Sequence, residues 1–244
     1  MARGYEKKFI KATRDEFNRQ KAEVIDNIER LYTPKSFKTK GIEDLIFNRQ
    51  AAKDRLYAKL VPPFRGQVKS AGDQAAILVG LDGIDMEDPN VNQYFKSHIN
   101  RVTGVINDET EKQLRATLAA GINAGEAIDE LIARVTHVYG AAAGFRAERI
   151  ARTESIHAGA FASNEAWRQS GEVEAKEWYT TQDELVCPYC EEMDGTIIDL
   201  GDSYFDKGDE LEVSGGNPLK LDYEQVEHPP LHSNCRCIEL PILS

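Results

Sequence analysis

The chain has 244 residues, 29% of them charged, and a net charge of −11. That length holds one large or two small domains with ample core. No apolar run comes near the roughly 18 residues of a membrane span, so a soluble protein without a membrane partner is expected. Met1 to Lys11 is charged and lacks the apolar core of a secretory signal, which points to a reducing, intracellular setting. The charge is unevenly spread. Residues 1–80 carry 17 Lys/Arg against 10 Asp/Glu, or +7, and the remaining 164 carry 13 against 31, or −18. Any contact with DNA is therefore expected within residues 1–80; the plain alternative is that the basic excess solvates helix faces.

Residues 5–32 read as a long amphipathic helix, with Phe9, Phe17, Val24, Ile25, Ile28, Leu31 and Tyr32 near helical spacing. Thr33-Pro34 stops it, because the residue before proline is pushed out of the helical region. A second helix fits 42–60, with Ile42, Leu45, Ile46, Ala52, Leu56 and Leu60 on one side and Pro62-Pro63 as its end. A poorer helical segment runs from about 64 to 80. An acidic turn-rich loop over 80–90 marks a soft boundary. Helical spacing returns over 90–121 and 126–140, and Gly121-Ile-Asn-Ala-Gly125 between them suits a C-cap and tight turn. A further helix spans 142–170 to Gly171. It carries Ile150, Thr153, His157, Phe161 and Trp167 along one stripe and an i,i+4 pair from Glu148 to Arg152.

After Gly171 the character changes. Val173–Thr181, Thr196–Leu200 and Cys235–Leu240 are short and rich in β-branched and aromatic residues, so they read as strands. Residues 201–227 form a long acidic, glycine-bearing loop. The fold class expected is α+β: a mostly helical N-terminal two-thirds followed by a small, loop-rich β region clipped by zinc.

The zinc expectation rests on two blocks that hold all four cysteines, Cys187-Pro-Tyr-Cys190 and His228-Pro-Pro-Leu-His232-Ser-Asn-Cys235-Arg-Cys237. A C-x-x-C knuckle answered by a distant H-x-x-C-x-C has the donor types and spacing of a structural zinc site. The candidate ligands are Cys187, Cys190, His232, Cys235 and Cys237, one more than a tetrahedral ion needs. Cys187, Cys190 and Cys235 are favoured, the fourth place stays open between His232 and Cys237, and His228 comes last. Three rival readings of the knuckles exist. Disulfides suit an oxidising compartment. A glutaredoxin-type pair needs a helix starting at the first cysteine, and Asp194-Gly195 interrupts the chain four residues after the second. A zinc deaminase needs an H-x-E that His157-Ala-Gly159 does not provide. Short strands and long loops bury little apolar surface, which a metal cross-link would offset.

An ordered series extends beyond the knuckles. It begins with Gly121-Ile-Asn-Ala-Gly125-Glu-Ala-Ile128 and Ile150-Ala-Arg-Thr-Glu154, with Asn164 ten residues on. Lys176-Glu-Trp178, Asp183, Val186-Cys-Pro-Tyr-Cys190, Asp194-Gly195 and the His228–Cys237 block follow. Over roughly residues 95–240 this resembles the phage Mu F-like family of head morphogenesis (minor head or minor capsid) proteins. Residues 1–80 then form a basic helical region, and 90–244 the Mu F-like domain, with helices over 90–170 and the zinc-knuckle β region over 172–244. The resemblance implies a phage or prophage protein present in few copies in the assembling head. It also implies association with the portal protein and other head proteins, and a link to DNA packaging or delivery. The location implied is the host cytoplasm during assembly and then the virion interior.

Arg152, Thr153, Glu154 and Asn164 are candidates to line a site against the zinc region; helix capping, ion pairing and packing are the plainer roles. His157 reads as a core histidine, and Trp167 and Trp178 as core aromatics. Asp183 is expected to accept backbone N–H bonds or to support a histidine ligand. Arg236 alternates away from Cys235 and Cys237 and should point outward toward acidic partners. No Ser/His/Asp series, P-loop or H-E-x-x-H is present, so a non-enzymatic assembly protein is expected. The rivals are a nucleic-acid-binding zinc module using the basic N-terminal helices and a zinc hydrolase or transferase using Arg152 and Glu154.

Overall fold

The computed structural model describes residues 2–31, 46–181 and 183–244. The first helix, α1, spans Ala2–Leu31. The expected stop at Thr33-Pro34, and Tyr32, Ile42 and Leu45 as helix-face residues, lie outside the described residues.

The second helix, α2, spans Arg49–Leu78 and passes straight through Pro62 and Pro63. This corrects the expected stop at the proline pair and joins the two segments read there as separate. Each proline removes a backbone donor and crowds the preceding turn, which costs about 3 kcal/mol. Against that, Leu56, Leu60, Phe64 and Val68 recur every fourth residue and are all buried. Four large apolar side chains on one stripe outweigh the local penalty.

Helix α3 spans Pro89–Ala124. Proline occupies its first turn, where no N–H is needed, and Asp88 caps it by accepting the Asn90 N–H at 2.8 Å. The expected break from Gly121 is corrected: the helix runs past Gly121 and ends only at Gly125, φ +74°. There the Gly125 N–H donates to the Ile122 carbonyl and the Glu126 N–H to the Gly121 carbonyl, the paired bonds of a Schellman cap. At Gly121 the ends of the Leu131 and Glu126 side chains come within 2.6 Å of where a Cβ would stand. Helix α4 spans Ile128–Ala141. A kink over Ala142–Arg146, with Gly144 outside the helical range (φ −85°, ψ −115°), leads into α5, Ala147–Ser170, which stops at Gly171 in the left-handed conformation.

Along α5 the fully buried positions are Ala147, Ala151, Ala158, Ala162 and Ala166. The large-residue stripe expected there is thus replaced by a small-residue one. Trp167 is buried beside it, while His157 and Phe161 are only half-buried. Glu148 pairs with Arg14 at 2.7 Å.

The chain divides into two compact units, neither contiguous in sequence. One comprises Glu6–Pro63 and Gln93–Ala151. Its core is built from Phe9, Phe17, Val24 and Ile28 of α1, Leu56 and Leu60 of α2, Ile99, Ile106 and Leu118 of α3, and Val135 and Tyr139 of α4. Glu16 is fully buried in it and accepts from Arg55 at 3.0 Å and Lys59 at 2.9 Å. The other comprises residues up to Tyr5, Phe64–Asn92 and Arg152–Ser244, and it holds the whole β region.

There β1 (Val173–Tyr179) is the centre of a three-stranded antiparallel sheet, with β2 (Ile197–Asp199) on one side and β5 (Ile238–Leu243) on the other. Between the knuckles runs a short helix, α6, Pro188–Met193. The acidic loop 201–227 is a folded structure: β3 (Glu210–Leu211) pairs with β4 (Leu219–Lys220), and Phe205 bridges to Val226. Trp178, Met193, Leu211, Leu221, Val226 and Leu231 form one buried cluster together with Cys190, Cys235 and Cys237. Three of the four cysteines are thus part of the small core itself.

Candidate metal centre

Cys187 sits at the N-cap of α6, with Pro188 in the first helical position; its sulfur accepts the Cys190 N–H at 3.4 Å. This local bond turns both sulfurs of the C-x-x-C toward one point. A helix does therefore start at the first cysteine, as a redox pair would need, but it is only six residues long and its thiols face the second knuckle. His232 Nε2 lies 3.0 Å from Cys187 Sγ and 3.2 Å from Cys190 Sγ. Its Nδ1 lies 2.9 Å from the Ser233 carbonyl, and donation there leaves the Nε2 lone pair toward the sulfurs. Cys190 Sγ is 3.7 Å from Cys235 Sγ.

Two overlapping groups of donors result, Cys187, Cys190 and His232, and Cys190, Cys235 and Cys237, each with all its ligand atoms within 4.8 Å. Cys190 belongs to both. His228 is in neither; it is buried with its ring 4.5 Å from that of His157. All four cysteines are free thiols. The set fits a metal ion: two sulfurs on a tetrahedral zinc stand about 3.8 Å apart when each Zn–S bond is about 2.3 Å, close to the 3.7 Å seen for Cys190 and Cys235.

The thiols also share protons. Cys235 is held down to about 2, first by its hydrogen bond with Cys190 and then by that with Cys237. Cys190 is pushed up, first by the same bond to Cys235. Cys237 is pushed up to about 12; its bond with Cys190 works against the rise, and Cys235 and burial outweigh it. The Trp178 indole N–H, buried and without an oxygen or nitrogen acceptor among the described residues, favours the Cys237 thiolate. A cation bound here would have to displace the protons that Cys190 and Cys237 hold, because thiols ligate metal as thiolates.

The surrounding candidates do not converge on one pocket. The Asn234 N–H donates to Thr153 Oγ1 at 3.3 Å, so Thr153 touches the second knuckle from α5. Asp183 accepts two 2.6 Å bonds from Arg236 and one from the Leu185 N–H at 2.9 Å; Arg236 holds its carboxyl below the usual range. The Asn164 amide instead bridges Lys176 and Glu239. Arg152 is exposed and Glu154 half-buried.

Two supports are absent from the sequence reading. Asp194 accepts both the N–H and the hydroxyl of Thr180, at 2.8 and 2.9 Å. Glu239 is buried on the inner face of β5. Its signal was available: the alternation that turns Arg236 outward from Cys235 and Cys237 also turns Glu239 inward.

The family described as Phage Mu protein F like protein has a model that matches residues 112–239, just over half of the chain. The match takes in the later part of α3, all of α4 and α5, β1, both knuckles and the five candidate donors. No curated protein and no solved structure matches.

Proposed function

Because this chain belongs to the phage Mu protein F like family, we propose that it is a minor head protein that works in procapsid assembly at the portal vertex, with a link to DNA packaging or delivery. The role in phage head morphogenesis comes with the family. The observation that carries the finer reading is that the matched residues end at Glu239, enclosing both knuckles. The part of the chain that the family has in common is the part organised on the metal centre.

The ion is zinc and its role is structural. Cys187, Cys190 and His232 hold it as one group, and Cys235, which contacts Cys190 but lies in a second group with Cys237, supplies the fourth donor on binding. Cys237 stands beside Trp178 and contacts Cys190 and Cys235. Four protein donors close a tetrahedral site, where a catalytic zinc keeps one position open. This supports a non-enzymatic protein.

The test is the composition of purified heads. A few copies of the chain per particle, and malformed or empty heads without it, are the expected results; mature, infectious heads that lack the chain would overturn the reading.

The charge asymmetry favours one second reading, a nucleic-acid-binding module using residues 1–80. Against it, Lys11, Arg14, Arg49, Arg55, Lys59 and Lys69 are engaged with carboxylates. Salt-dependent retention of DNA by the full chain, lost on neutralising the remaining N-terminal cations, would support it.

A further inference from the structure

The register of the three-stranded sheet defines its outer face. Tyr179 stands beside Ile238, Glu177 between Ile197 and Leu240, and Ala175 between Asp199 and Ile242. Successive side chains of a strand point to opposite faces, so these eight share one side. The inner side carries the buried Lys176, Trp178 and Glu239. On the outer side Ile197 is 56% exposed, Ile238 52%, and Leu240 and Tyr179 38% each. Six apolar side chains thus surround one carboxylate, Glu177, with a second, Asp199, at the corner. A contiguous apolar patch of this kind marks an interaction surface.

The central carboxylate selects the occupant. A wholly apolar partner would bury Glu177 without compensation. A second copy of the chain laid on the face about a two-fold axis would bring two Glu177 carboxylates together. Nucleic acid and anionic lipid are repelled by the same charge. The chemistry that remains is an apolar segment with a lysine or arginine at its centre.

We propose that the outer face of the β2–β1–β5 sheet docks an apolar segment of another head protein, with a basic side chain of that segment set against Glu177. This rests on the head-assembly reading above. Leu240, Ile238 and Ile197 supply the apolar contact, Tyr179 closes one end, and Glu177 fixes the register of the partner. An interface of this layout concentrates its energy in the centre of the patch.

The experiment places the photo-crosslinking residue p-benzoylphenylalanine at position 240 in the full chain and assembles heads with their own complement of proteins. The expected product joins position 240 to one other head protein, at an apolar peptide containing lysine or arginine. Glu177→Lys and Leu240→Arg should each reduce the copies per head about tenfold or more. Ile77→Asp, at an exposed apolar position on α2 rather than on the sheet strands, should not. Metal content and circular dichroism confirm that the variants fold.

A crosslink to a second copy, or one within the same chain, would overturn the proposal. So would normal incorporation of both face variants, or incorporation without any crosslink. If the unaltered chain is missing from heads altogether, the head-assembly reading fails and this occupant falls with it.

Discussion

The backbone N–H of Asn234 donates to the hydroxyl of Thr153 across 3.3 Å, tying α5 to the turn between His232 and Cys235. Asn234 holds φ +65°, a conformation that only a few residue types adopt readily. The Thr153 hydroxyl therefore supports a turn whose two ends are candidate metal donors. Groups that hold ligands from behind typically contribute 10–100-fold in metal affinity. Thr153→Val, which keeps the shape and removes the acceptor, should weaken metal retention roughly tenfold, and Thr153→Ser should restore it. Competition against a chromogenic chelator measures both. Equal affinity for the valine variant and the unaltered chain would show that the turn stands alone.

Cys190 is common to both groups of candidate metal donors, and it is also part of the small apolar core. Cys190→Ala should therefore release the ion and unfold the chain after Gly171. A structural zinc contributes about 10–16 kcal/mol in isolated zinc-finger peptides, and little apolar surface is on hand to replace it. The N-terminal helices should persist, visible as retained far-ultraviolet dichroism with new protease cleavage after residue 171. Strong chelation of the unaltered protein should reproduce this and abolish the near-ultraviolet signal of Trp178, which packs against the same cluster. Unchanged proteolysis in the variant would count heavily against a structural metal.

His232 and His228 stand four residues apart and face different neighbours. His232 points its Nε2 at two sulfurs, while His228 lies edge-on to His157. His232→Ala should lose metal; His228→Ala should keep one ion per chain and lose stability with its packing and its contact to the Pro229 carbonyl, about 1–3 kcal/mol. Elemental analysis of the purified variants decides, and metal loss in the His228 variant only would reverse the assignment. Cys237→Ala belongs to the same comparison. With Cys187, Cys190, His232 and Cys235 as the ligands, it too should retain the ion.

What the amino-acid sequence made legible followed from spacing that acts locally. The C-x-x-C and H-x-x-C-x-C blocks foretold which side chains come together, because each knuckle turns its donors within a few residues. The α+β division was likewise readable from the change of periodicity at Gly171. Helix ends were less so. Pro62-Pro63 and Gly121 are local breakers, and each was overruled by burial: by Leu56, Leu60, Phe64 and Val68 in one case, and by the approach of Leu131 to Gly121 in the other. The stripe of α5 failed for a related reason. Alanines at 158, 162 and 166 admit a close neighbour, and a reading weighted toward large side chains passes over them. The Thr153–Asn234 contact joins residues 81 positions apart, so no periodicity could announce it.

Asn164 joins two buried ionisable groups on the inner face of the sheet. Its Oδ1 accepts from Lys176 Nζ at 3.2 Å and its Nδ2 donates to Glu239 at 2.5 Å, while Lys176 also donates to the Glu227 carbonyl at 2.6 Å. Burial lowers the Lys176 pKa and pushes Glu239 up to about 7, the attraction of Lys176 opposing that rise. Both shifts say that desolvation works against the charged forms, so the pair orients the sheet against α5 more than it stabilises it. Lys176→Met alone strands the Glu239 carboxyl and should cost about 3 kcal/mol. Adding Glu239→Leu should recover most of that loss, to within about 1 kcal/mol of the unaltered chain, since an apolar pair of similar volume carries no desolvation penalty. Urea unfolding of the metal-loaded protein measures the cycle. If the double variant is as unstable as the sum of the singles, Lys176 and Glu239 act independently, and Asn164 is a packing residue with no coupling role.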